Sequence, residues 1–205
     1  MQNLKKIFYL CFILMLGFAK SQDSVVDLLS IPGPIEYNGN EFFLSWSKQN
    51  SKTLSIQQFL PRDETIDDFT ELLNFSYFNK EIDIELAVRQ KVEAVQHIEK
   101  TDKFAKVNVA ESPDGTEYIV DYTVSAEAGK AEPYVEYNVY RFKNYDNAGV
   151  KSFLILSYAK RIYGEDFKGA FKSLMKQRDD LMTAMIEYKI PQITLVNQGN
   201  SEIKK

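Results

Sequence analysis

His97 is the chain's one histidine and Cys11 its one cysteine, so nucleophile-and-base chemistry has little to be built from. A Ser-His-Asp triad would have to use His97, which falls on a helical stretch on the side turned away from the apolar Val95. No Gly-x-Ser-x-Gly elbow occurs, and a triad histidine needs a buried orienting partner, so the surface reading of His97 is the stronger one. A zinc site draws three or four ligands from His, Cys and carboxylate, which a single histidine does not supply. The run Asn144-Tyr-Asp146-Asn-Ala148-Gly149 matches positions one, three and six of a calcium loop. Ala148 stands at position five, however, and Ile155 at position twelve, where a bidentate glutamate is required. A turn explains the same residues.

Carboxylates are the remaining catalytic type. Asp63, Glu64, Asp67, Asp68 and Glu71 cluster ahead of what reads as a helix, where negative charge is favoured by capping and by the helix dipole. A glycosidase would need two of them ~5 to 10 Å apart across a cleft, one raised in pKa by burial. Capping is the simpler explanation. No Gly-rich phosphate loop is present. The expectation is therefore no catalytic residue, no cofactor and no metal.

Two patterns suit binding. Tyr118, Tyr122, Tyr134, Tyr137, Tyr140 and Tyr158 fall in strand-like segments, where exposed rings would stack on sugar or peptide, although tyrosine also simply fits a half-buried sheet. Tyr134, Tyr137 and Tyr140 are the candidates. Lys168, Lys172 and Lys176 recur at four-residue spacing on the last helical stretch. Like charges so placed repel and hint at an anionic partner, while Glu165, Asp179 and Asp180 can pair with them on an ordinary solvated face.

The segments that must position these residues begin after an export signal. Lys5 and Lys6 precede the apolar run of residues 7–19, and Ala19-Lys20-Ser21 offers small residues at a cleavage site. Cleavage after Ser21, or alternatively after Ala19, yields a secreted or periplasmic protein that meets the membrane only through its signal. The run is shorter than the ~20 residues of a spanning helix. Cys11 leaves with it, so no disulfide or thiolate remains. Lys5, Lys6 and Lys20 leave too while no acid does, which takes the formal charge from -4 to -7. An acidic exported domain is a poor nucleic-acid ligand.

Residues 22–34 read as a lead-in, 35–190 as one domain and 191–205 as a fraying tail. Phe42, Leu44 and Trp46 alternate with Phe43, Ser45 and Ser47, and Leu54, Ile56 and Gln58 continue the period of two, which predicts a hairpin. Thr65-x-x-Asp68 imitates a capping box and predicts a helix carrying Phe69, Leu72 and Leu73. A second helix is predicted from Ile84, Val88, Val92 and Val95. Residues 106–110, 118–125, 134–142 and 152–161 read as four strands. Phe167, Phe171, Leu174, Arg178, Leu181, Met185 and Tyr188 predict a long helix over residues 165–188, closed by Pro191. The order ββααββββα predicts an α+β domain, an antiparallel sheet of about six strands with helices packed on it.

The stretch Phe43-Leu-Ser-Trp46, then Gln57-Gln-Phe-Leu-Pro-Arg-Asp-Glu-Thr65 and a helix with Phe69, resembles the opening of exported PsbP-like αβα-sandwich proteins. That resemblance implies an accessory or binding domain and transfers no catalytic residue. By elimination the expected function is an exported, non-catalytic binding or accessory domain for a protein, glycan or lipid. The rival readings are a secreted carboxylate-dependent hydrolase and a carrier of lipid or another hydrophobic ligand.

Overall fold

A computed structural model describes residues 25–127, 132–147 and 149–196; the expected signal peptide and the end of the tail lie outside the described residues. Eight strands form one antiparallel sheet: β1 (Ile35–Tyr37), β2 (Asn40–Ser51), β3 (Leu54–Leu60), β4 (Glu71–Phe78), β5 (Lys106–Glu111), β6 (Glu117–Ala126), β7 (Tyr134–Asn147) and β8 (Val150–Tyr163). Their spatial order is β1-β2-β3-β4-β8-β7-β6-β5, and the sheet curls into a half-barrel. Among the described residues there are two helices, α1 (Ile84–Ile98) and α2 (Phe167–Glu187). Neither is long and apolar enough to cross a membrane.

This overturns the expected six-strand sheet and the order ββααββββα, because the segment expected to form the first helix is a loop leading into β4. The Thr65 hydroxyl does accept from the Asp68 N–H at 3.2 Å, and Thr65 and Asp68 also exchange backbone bonds of 3.3 and 3.2 Å. Those bonds close a turn, and nothing propagates a helix from it. Downstream, Leu73, Phe75 and Tyr77 are buried on one side while Leu72, Asn74, Ser76 and Phe78 are half-buried on the other. Period two with aromatic residues prevails over a local cap signal. The other unexpected strand is β1. Asn38 and Gly39 both have positive φ, +48° and +80°, and they join Tyr37 to Asn40 by a two-residue turn of the kind Asn-Gly favours.

Each helix covers a different face. Asp83 caps α1 by accepting from the Leu86 N–H at 3.0 Å, and Val88, Ala87 and Val92 pack with Val120, Phe142 and Phe153. Asp166 caps α2 through the Gly169 N–H at 2.9 Å, and Ala170, Leu174, Leu181 and Met185 meet Tyr37, Tyr137, Val139, Leu156 and Tyr158. The α2 C-terminus leaves carbonyls without helical partners. Arg141 of β7 supplies them, donating from Nη1 to the oxygens of Met185, Ile186 and Tyr188 at 3.2, 3.1 and 3.0 Å.

The lead-in and the described part of the tail complete the larger core instead of fraying. Thr194 and Val196 donate backbone N–H groups to Leu29 and Leu28 at 3.0 and 3.1 Å, and Leu28, Leu29, Ile31 and Ile193 are buried. Buried Gln57 accepts from the Leu29 N–H at 2.7 Å and donates to Asp27 at 3.0 Å, so both ends of the amide at that core position have a partner.

Candidate functional site

The six residues expected to bind do not form one site. Strand alternation sends Tyr134 and Tyr140 to the α1 side of β7 and Tyr137 to the α2 side. Tyr137 is completely buried in the larger core, which removes it as a ligand contact. Lys168, Lys172 and Lys176 are exposed on α2, across the sheet from Tyr134 and Tyr140. Arg178, which falls within the apolar spacing of α2, turns inward and holds Asp121 of β6.

Tyr134 is already engaged. The Arg161 guanidinium lies 4.3 Å from its ring centre and 3.7 Å from that of Phe69, while Arg161 Nε donates to Glu136 at 2.6 Å. Glu136 also accepts from Asn138 at 2.8 Å. Tyr140 packs 5.6 Å from Tyr122 and 6.2 Å from Phe142, with Lys91 Nζ of α1 4.1 Å from its centre. It borders the open stretch of this face, where α1 ends and the sheet continues.

That stretch carries a row that the sequence does not announce. In register, Trp46 of β2 lies opposite Gln58 of β3, Gln58 opposite Asn74 of β4, Asn74 opposite Ser157 of β8, and Ser157 opposite Tyr140 of β7. Cross-strand partners share a face, so three neutral polar side chains stand between two aromatic ones. Strand spacing of ~4.8 Å gives the row an arc of roughly 19 Å. Asn74 Nδ2 donates to Ser157 at 3.4 Å and to Ser76 at 3.1 Å, which fixes the amide in the middle. Trp46, Gln58, Asn74 and Ser76 remain partly exposed.

Two local features hide the row. The alternation Phe42, Leu44, Trp46 suggests one face, but the register shifts between Leu44 and Trp46. A bulge there adds one residue, and a one-residue offset moves the downstream residues to the other face. Phe42 therefore enters the core while Trp46 joins Gln58. Asn74 and Ser76 lie just beyond the turn that imitates a helix cap. The polar alternation of residues 71–78 is the signal that identifies them as strand.

Ser157 is buried, so the row offers the uncharged amides of Gln58 and Asn74 and two aromatic side chains. It contains no acid or base for proton transfer. The acids of the cluster are engaged: Glu64 accepts from the Thr70 hydroxyl at 2.5 Å and its N–H at 2.9 Å, and Glu71 is buried, holding Asn40 at 2.8 Å and Lys160 at 2.9 Å. Asp146 closes the β7–β8 turn by accepting from the Gly149 N–H at 2.7 Å. Among the described residues no group of three or more His, Cys, Asp or Glu is placed to hold a metal ion.

No curated protein and no solved structure matches the chain. A protein-family model matches residues 29–190, a span that holds the whole sheet and both helices. The chain belongs to that family.

Proposed function

We propose that this chain is an exported, non-catalytic binding module that takes a neutral, hydroxyl-rich ligand, a glycan chain, on the open face of its sheet. The row Trp46–Gln58–Asn74–Ser157–Tyr140 carries this reading. Sugar rings present apolar faces that stack on aromatic side chains, and hydroxyls that pair with amides and hydroxyls able both to donate and to accept. The basic start, apolar run and small-residue exit of residues 1–21 support export. Against a lipid carrier stands the interior between sheet and α2, filled by Tyr37, Phe42, Phe59, Phe75, Tyr137 and Tyr158. Against a carboxylate hydrolase stands the engagement of both acids, Glu64 by Thr70 and Glu71 by Asn40 and Lys160.

The test is calorimetric titration with soluble neutral and anionic polysaccharides. Binding of a neutral polymer that falls by about tenfold or more in Trp46→Ala and in Asn74→Ala, with both variants still folded, is the expected result. Unchanged binding in both variants, or binding of anionic polymers alone, would sink it.

A further inference from the structure

β5 ends the sheet and pairs only with β6. Beyond β5, Ser112 donates its N–H to Glu117 across the turn at 2.9 Å, so the even-numbered residues face β6. The Val107 N–H points the opposite way and is taken by Oε1 of Glu99, the residue that follows α1, at 3.0 Å. In an antiparallel ladder inward and outward groups alternate, which directs the backbone of Val109 and Glu111 outward as well. Among the described residues none pairs with those groups. Edge strands are usually blunted by proline, bulges or brevity. The opposite edge, β1, has only three residues and comes directly after Pro34, whereas β5 has six residues, an unbroken register and no proline.

A cleft of about 170 Å³ adjoins this edge on the α2 side, lined by Ala110, Pro113, Ile119 and Ile186, with Arg141 and Glu117 also contributing. Those two charges pair with each other at 2.5 Å. Val109 and Ile186 are 48% and 50% exposed.

We propose that β5 accepts an extended segment of a partner polypeptide as a ninth strand, with one apolar side chain of that segment seated between Ala110 and Ile186. Outward backbone groups call for a strand, and the apolar cleft beside them selects among side chains of one parity. A second copy of this chain fits less well. Twofold edge-to-edge pairing keeps like faces together, and β5 presents to the α2 side only Lys106, Asn108 and Ala110, none of which is a long apolar side chain.

Panning a phage-displayed library of short random peptides on the purified chain tests this, with fluorescence polarisation of a selected peptide as the second step. Enriched sequences should carry Leu, Ile or Phe at one parity. Val109→Pro removes an outward N–H that takes no part in the β5–β6 ladder, and Ala110→Leu fills the cleft. Each should weaken binding by about tenfold or more, while Trp46→Ala should leave it unchanged. Failure to enrich any sequence, or equal binding by both edge variants and the parent, overturns the proposal. So does a dimer that Val109→Pro dissolves, which would make a second copy the occupant. Because Trp46 takes no part, failure here leaves the glycan reading standing, and the reverse also holds.

Discussion

Arg178 of α2 grips Asp121 of β6 with two hydrogen bonds, Nε to Oδ2 at 2.7 Å and Nη2 to Oδ1 at 2.8 Å. Asp121 is buried, and its Oδ2 lies 3.4 Å from Asn108 of β5. The pair fastens the long helix to the far half of the sheet and explains a charged residue within an otherwise apolar helical stripe. Arg178→Ala leaves a buried carboxylate without its cation and should cost about 3 kcal/mol. Replacing both residues by apolar ones should recover part of that loss, which chemical denaturation of the single and double variants measures.

Tyr137 and Tyr140 are three residues apart on one strand, yet substitution should separate them. Tyr137→Ala empties a fully buried site and should cost about 3 to 5 kcal/mol. Tyr140→Ala removes a half-buried ring beside Lys91 and Tyr122, should cost less, and should weaken glycan binding. Thermal unfolding together with calorimetry distinguishes a core role from a surface one.

Tyr37 is buried, and its hydroxyl has no hydrogen-bond partner among the described residues. An unpaired buried hydroxyl costs about 1 to 3 kcal/mol. Tyr37→Phe keeps the ring contacts with Tyr158 and Tyr188 and deletes that penalty. The variant should unfold at a higher denaturant concentration than the parent; a lower midpoint would contradict this account.

Burial pushes the phenols of Tyr37, Tyr137 and Tyr158 well above the ordinary value of 10.0. Above that value the unfolded chain loses these protons while the native state keeps them, so stability falls as pH rises and is fully present below it. Three such groups give a slope of about 4 kcal/mol per pH unit. Stability measured from neutral pH into the alkaline range should stay flat with respect to these groups and then drop steeply, with a step in tyrosinate absorbance accompanying unfolding; unfolding without such a step would contradict it.

The sequence by itself was enough to identify the α1 and α2 segments, the four-stranded meander of the second half and the β2–β3 hairpin, because each rests on a sustained period of 3.6 or 2. It also left the chain few residues for catalysis. Where two local signals competed, it misled: Thr65 and Asp68 bond as a cap would, but Leu73, Phe75 and Tyr77 need a buried face that only the neighbouring strands provide. The side on which a residue lies was a tertiary matter. A bulge after Leu44 turns Trp46 to the open face, and strand parity puts Tyr137 in the core and Tyr140 outside it. Gln58, Asn74 and Ser157 come from strands far apart in the chain and become a row only through register. Such a row has no spacing to be read along the chain, because backbone pairing between distant segments creates it.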